Sequence, residues 1–158
     1  MDSNGFFVRR ATVEDTQGVL DITREAFVKY AEMAGLKTVD ALSETFEQVK
    51  RDIESKYVYA AFLDNKIVGS VRLDVNKEAK TAYLSRFGVS VVHQNLGIGK
   101  SLMNLVDTEM QSLGVKKVYL HTAAKVKPLI IFYYGRNFYV ESTSNDRGYI
   151  RALLVKEY

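Results

Sequence analysis

The chain contains no cysteine, no tryptophan, one proline and two histidines in 158 residues. Lack of cysteine excludes a disulfide framework, thiolate-bound zinc, a nucleophilic thiol and any acyl-cysteine intermediate. Two histidines are too few for a polyhistidine metal cage, so no metal is expected. No hydrophobic run approaches the length of a membrane span, and Met1–Arg10 lack the basic start and long apolar stretch of a secretory signal. The expectation is a cytoplasmic protein with no membrane partner. What is present, 47% hydrophobic and 26% charged residues, describes one domain over 1–158. A chain of that length buries roughly 70% of the surface it exposes when unfolded, enough for a core without staples.

Charge is unevenly spread. The net +3 divides into 11 basic and 14 acidic side chains over 1–79 (net −3) and 11 basic and 5 acidic over 80–158 (net +6). A polyanionic ligand would meet the second half. No basic cluster with interleaved aromatics accompanies that excess, so nucleic acid is not an expected partner.

Phe6–Arg10 reads as a strand, and Thr12-Val13-Glu14-Asp15 as the start of a helix that breaks near Gly35, its stripe Val19, Ile22, Ala26, Phe27 and Tyr30. A second helix is expected from Thr38, with Leu42, Phe46, Val49 and Ile53 inside and Glu44, Glu47, Lys50 and Arg51 facing out. A meander follows: a strand over 57–63, a turn at Asp64-Asn65-Lys66, a half-buried alternating strand over 67–75, and a third over 81–91. A glycine turn, a helix ended by Gly114 and a strand over 116–122 then make a βαβ unit, so strands 81–91 and 116–122 should be parallel. Pro128 suits the first turn of a short helix reaching Tyr134, and two final strands, near 138–141 and 148–156, close the chain. The fold class is α/β: a mixed, mostly antiparallel sheet of six to seven strands flanked by about four helices.

The stretch richest in chemistry is Val89-Ser90-Val91-Val92-His93-Gln94-Asn95-Leu96-Gly97-Ile98-Gly99-Lys100-Ser101. Glycines at a strand-to-helix turn let the backbone approach a ligand, and the first amides of the new helix lack intrahelical partners. That combination binds phosphate. The P-loop pattern fails because Gln94 stands where its first glycine belongs, and the dinucleotide fingerprint fails because Leu102 stands at its third glycine.

Gln94-x-x-Gly97-x-Gly99 resembles the acetyl-CoA loop of the GNAT superfamily of N-acetyltransferases, and the order of elements is similar over the whole chain. Phe132-Tyr133-Tyr134-Gly135-Arg136-Asn137-Phe138 resembles the family's late Phe-Tyr-x-x-x-Gly-Phe motif. Asn137 replaces its glycine, and Val126 stands where many members carry a cofactor-contacting asparagine. The resemblance implies acetyl-CoA as co-substrate, its pyrophosphate on the amides of Asn95, Leu96, Gly97, Ile98, Gly99 and Lys100, with Gln94, Ser101 and Phe132 also in the cofactor site. It implies that the backbone of Phe87, Gly88 and Val89 pairs with the pantetheine arm and that an N–H there polarises the acetyl carbonyl. Tyr133 takes the family's position for the proton donor to the departing thiolate.

The family's glutamate base is replaced by Tyr83, which leaves His121 as the candidate base, with a water relay as the alternative. His93, in the loop, is placed at the solvent or cofactor edge. Tyr30, Met33 and Glu44 fall in the region that shapes the acceptor pocket, although packing explains such residues as well, and Arg86 either orients an acceptor or pairs with a carboxylate. The implied activity is direct attack of a primary amine, on a small molecule or peptide, upon acetyl-CoA within a ternary complex. The acidic first half leans toward a cationic acceptor, and a homodimer is the further partner expected. The alternative is a catalytically silent acyl-CoA-binding module.

Overall fold

The structure, a computed structural model, describes residues 5–158. In chain order the elements are β1 (Phe7–Arg10), α1 (Thr16–Ala34), α2 (Phe46–Ser55), β2 (Tyr57–Leu63), β3 (Lys66–Asn76), β4 (Thr81–Val89), α3 (Ile98–Ser112), β5 (Lys117–Ala123), α4 (Lys127–Gly135), β6 (Tyr139–Ser144) and β7 (Arg151–Glu157). The described residues form one seven-stranded sheet in the order β1-β2-β3-β4-β5-β7-β6. Its neighbours are antiparallel except β4 and β5, the parallel pair that the βαβ reading requires.

Local chemistry accounts for most element ends. Thr12 opens a 3-10 turn whose Asp15 carboxylate accepts from the Thr12 N–H at 2.8 Å. Gly35 ends α1 at φ 69°, in the left-handed region where glycine escapes the Cβ clash. Asp64 and Asn65, at φ 51° and 65°, make the tight turn between β2 and β3. At the end of α4 the Phe138 N–H returns to the Tyr133 carbonyl and the Asn137 N–H to that of Tyr134, each at 3.0 Å. Asn137 sits there at φ 72°, so asparagine supplies the left-handed residue that the glycine would have supplied.

The second helix departs from the sequence reading. Asp40–Ser43 form a 3-10 turn, and α2 begins only at Phe46, because Thr45 caps it: its Oγ1 accepts from the Gln48 N–H at 3.2 Å, and the Gln48 side chain accepts from the Thr45 N–H at 2.9 Å. The cap fixes the start eight residues later than the sequence reading, and Phe46 lies exposed rather than in the core. Nor is β3 half-buried. Ser70 and Arg72, expected on a solvated face, are as buried as Val71 and Leu73, because α1 and α2 cover one face of the sheet and α3 the other.

Two apolar clusters follow from this layering. The larger joins Leu102, Met103, Val106 and Met110 of α3 to Tyr59, Leu73, Leu84, Leu120 and Leu154 of the sheet. The smaller joins Val19 and Leu20 of α1 and Val49 and Ile53 of α2 to Val58, Ala60 and Phe62. Between them the sheet opens. The β4–β5 ladder runs from Thr81↔Lys117 to Tyr83↔Tyr119 and stops, leaving Leu84–Val89 without a strand partner on the β5 side. A bulge sits at the same point: Ser70 faces Gly88 and Arg72 faces Ser85, so Arg86 and Phe87 together oppose Val71, with Arg86 at φ 53°. Bulges bend the strand that carries them, and this one lies where β4 and β5 part.

Candidate active site

Two clefts meet at the parting of β4 and β5. The first, about 690 Å³, is lined by Phe87, Gly88, Val89, His93, Gln94, Asn95, Gly97, Ile98, Gly99, Lys100 and Phe132, with Ala26, Lys29 and Met33 of α1 opposite. Its anion-binding groups are largely backbone. Gly97, at φ 83°, is the N-cap of α3, and Asn95 is also left-handed at φ 68°. The first N–H of this helix to find a partner belongs to Ser101, which bonds the Gly97 carbonyl at 3.0 Å. The amides before it are available to an anion, at the positive end of the helix dipole. Lys100 and Lys29 add charge, the second from the acidic half of the chain.

Ten of the twelve residues assigned to the cofactor line this cleft; Leu96 and Ser101 do not. Leu96 is half exposed beside it, and the Ser101 amide is already satisfied within the helix. Gln94 shapes the loop, its Nε2 lying 3.3 Å from the carbonyls of Val89 and Ser90. The Gly88 position has a second cause: a Cβ there would stand 2.5 Å from the Ala26 Cβ, so glycine lets α1 lie against β4. At Gly99 a Cβ would come within 3.0 Å of the Phe87 ring. Val126 is buried at the head of α4 and does not line the cleft.

The second cleft, about 370 Å³, is built from side chains of many elements and includes Tyr30, Glu44, Tyr83, Arg86, His121, Tyr133, Arg147, Tyr149 and Arg151. Beneath it lies a feature that sequence reading missed. Arg72 is fully buried, and its guanidinium donates to both carboxylate oxygens of Glu44, at 2.7 and 2.9 Å, to Asp52 at 2.9 Å and to Thr23 Oγ1 at 3.2 Å. Glu44 also accepts from Arg86 Nε at 3.2 Å. Glu44 therefore does not face outward, as helical spacing had implied, and Arg86 takes the structural pairing of its two expected roles. The signal available in the sequence was an arginine at an otherwise small or apolar strand position; its partners lie 20 and 28 residues away.

His121 and Tyr83 lie together across the parallel pair, with Tyr83 Oη 2.7 Å from His121 Nδ1. Burial first, then the positive fields of Arg151 and Arg147, hold the imidazole below its usual pKa. The Tyr83 phenol is raised by burial. Tyr83 thus keeps its proton, and the Oη–Nδ1 contact joins that hydroxyl to the imidazole.

Tyr30, Phe87 and Leu129 line both clefts and mark where they join. Tyr30 is fixed there because its hydroxyl accepts from the Ala123 N–H at 2.8 Å. Tyr133 stands beside the junction, wedged against Phe87, Phe132 and Phe138 with ring centroids 5.6 to 6.1 Å away. Burial raises its phenol far above the ordinary value, with the Tyr30 hydroxyl adding to the shift. Tyr133 is accordingly a protonated donor throughout the neutral range, locked in place by packing.

No curated protein matches the chain by sequence. Solved structures do match. PaiA N-acetyltransferase from Thermoplasma acidophilum, in complex with coenzyme A, is 21% identical over 98% of this chain and 99% of its own, with a TM-score of 0.84. A GNAT-family acetyltransferase from Streptococcus pneumoniae is 16% identical over 97% and 99%, at 0.77. The ribosomal-protein-S18-alanine N-acetyltransferase of Escherichia coli is 14% identical over 97% and 94%, also at 0.77. These likenesses show a shared fold. The model of the acetyltransferase (GNAT) family matches residues 18–138, from α1 through the glycine loop to the end of the tyrosine motif. The chain belongs to the GNAT acetyltransferase family.

Proposed function

We propose that the protein is an acetyl-CoA-dependent N-acetyltransferase in which a primary amine attacks the thioester directly. The observation that carries this reading is the junction of the two clefts beside Tyr133. One cleft offers free helix amides and lysines for a phosphate-bearing donor, the other receives an acceptor, and the buried Tyr133 lines the second where the two join at Tyr30, Phe87 and Leu129. The Thermoplasma relative, solved with coenzyme A, supports the assignment of the donor cleft. The unpaired edge of β4 from Leu84 to Val89 supports strand-like pairing with the pantetheine arm.

The chemistry uses few groups. The donor supplies an acetyl thioester. As the acceptor nitrogen forms a bond to the acetyl carbon, its proton passes to Tyr83 Oη while the Tyr83 proton passes to His121 Nδ1, leaving an imidazolium. The carbon–sulfur bond breaks, and the sulfur takes the proton of Tyr133. Backbone N–H groups at the β4 bulge are the source of carbonyl polarisation. No step requires a covalent enzyme intermediate or a metal.

The test is coenzyme A release from acetyl-CoA with a panel of primary amines, confirmed by mass of the acetylated product. Turnover with at least one amine is expected. Tight acetyl-CoA binding with no turnover for any amine would replace the reading with the silent acyl-CoA-binding module.

A further inference from the structure

The second cleft holds two kinds of arginine. Arg72 is neutralised by close ion pairs: both carboxylates on the cleft floor are spent on it and its neighbours, since Glu44 binds Arg72 at 2.7 Å and Arg86, and Asp52 binds Arg72 at 2.9 Å and lies 3.4 Å from Lys56. Arg147 and Arg151 are only loosely paired. The Arg151 side chain is 11% exposed, and among the described residues its one ion pair is a loose 3.6 Å contact to Asp146, which is 64% exposed; its Nε, like that of Arg72, has no hydrogen-bond partner. Among the described residues Arg147 reaches only Asp40, at 3.9 Å, and Asp40 is 86% exposed. Asp74, the remaining acid on the wall, is exposed as well. The acids near these guanidiniums thus lie in water at the rim, where pairing is weak.

Strand register aims this charge at the reacting groups. Arg151 opposes Ala123 and Leu153 opposes His121 in the β5–β7 ladder, so Arg151 and His121 are diagonal neighbours on one face. Arg147 and Arg151 both act on the His121 ring and on the Tyr83 phenol, while Asp146 is the acid that offsets them at His121. Arg151, under-paired and held largely out of water, has a strong preference for a carboxylate or phosphate, which a guanidinium binds through two parallel donors, and Arg147, 59% exposed, adds its charge from the rim. A bare polyamine brings the wrong sign to this wall.

We infer that the acceptor carries an anionic group, carboxylate or phosphate, together with its amine, and that Arg147 and Arg151 hold the anion while the amine faces Tyr83 and His121. The inference rests on reading this cleft as the acceptor site, and it reverses the cationic preference that the acidic first half suggested. Both guanidiniums also favour the uncharged form of a nearby amine, the form that attacks.

Two matched pairs test it: L-lysine against cadaverine, which differ by one carboxylate, and phosphoethanolamine against ethanolamine, which differ by one phosphate. The acidic member of at least one pair should show kcat/KM ten-fold or more above its neutral partner, and the pair that responds identifies the anion. In Arg147→Gln, whose side chain is mostly exposed and can be lost without a fold change, and in Arg151→Gln, that ratio should fall toward one. Equal or better use of both decarboxylated and dephosphorylated amines, or a ratio unchanged in both variants, would overturn the inference. A second readout does not depend on turnover: in protein saturated with coenzyme A, NMR titration of His121 should shift to higher pKa on adding inorganic phosphate or glutarate, because a bound anion offsets the two arginines. The shift should vanish in Arg147→Gln. No response to either anion would overturn the anion site even if amines are acetylated, whereas a response without any turnover would uphold it and sink the enzyme reading.

Discussion

The two clefts are made of different material. The donor cleft takes its binding groups chiefly from backbone: left-handed Asn95 and Gly97, the unpaired amides at the start of α3, and the open edge of β4. The acceptor cleft is made of side chains drawn from α1, the turn before α2, β4, β5, α4 and the β6–β7 connection, held over the buried Arg72. Backbone geometry needs a few glycines at fixed spacing, so the donor end can recur across a family with little identity. A side-chain wall changes with each substitution, so the acceptor end is where this chain becomes particular.

Substitutions separate the two, and the largest effect belongs to the foundation of the acceptor wall. Arg72→Met leaves Glu44 and Asp52 without their buried cation and should cost about 3–5 kcal/mol of stability, read by denaturant unfolding. A loss under 1 kcal/mol would mean that the ion cluster does not support the wall. At the junction, Tyr133→Phe keeps the ring packing and removes the proton donor, so kcat should fall roughly 100-fold while acetyl-CoA affinity holds. Unchanged kcat would take Tyr133 out of the proton-donor role. His121→Gln should cost roughly ten-fold or more in kcat and alter the pH profile. Because His121 titrates below its usual value, wild-type activity should fall only as pH drops beneath about 6.5, and that acidic limb should disappear in the variant. A limb that persists would point to water as the base.

The donor cleft should respond more mildly. Gly88→Ala drives a methyl group into Ala26 and should lose about 1–3 kcal/mol, regained in part by adding Ala26→Gly. If stability is untouched and only acetyl-CoA binding weakens, then Gly88 serves the cofactor and not the packing. The smallest effect expected is at Gly97, where a Cβ meets open space but φ is 83°. Gly97→Ala should cost about 1 kcal/mol, seen as several-fold weaker acetyl-CoA binding with no change in acceptor KM.

The same contrast explains what could be read in advance. The glycine loop and the parallel β4–β5 pair are local or nearly local in sequence and were legible from spacing, and Asn137 as the helix stop was legible from the resemblance to the family's late motif. The start of α2 was misplaced because apolar periodicity runs through Leu42 and Phe46, whereas the Thr45–Gln48 cap decides the boundary. Glu44, read as solvated, was hidden by distance: its partner Arg72 lies 28 residues on, and alternation in β3 cannot reveal that a second layer covers the far face. Tyr83 was recognised as a departure from the family pattern, but its bond to His121 joins residues 38 apart. Leu96 and Ser101 were swept into the loop by adjacency, though the helix already uses the Ser101 amide.

The account depends most on both clefts being filled at once. Initial rates with acetyl-CoA and an accepted amine varied together test this directly. A ternary complex predicts double-reciprocal lines that intersect, with no acetyl group on the protein by mass spectrometry after incubation with acetyl-CoA alone. Parallel lines with a stably acetylated protein would contradict direct transfer across the junction at Tyr133.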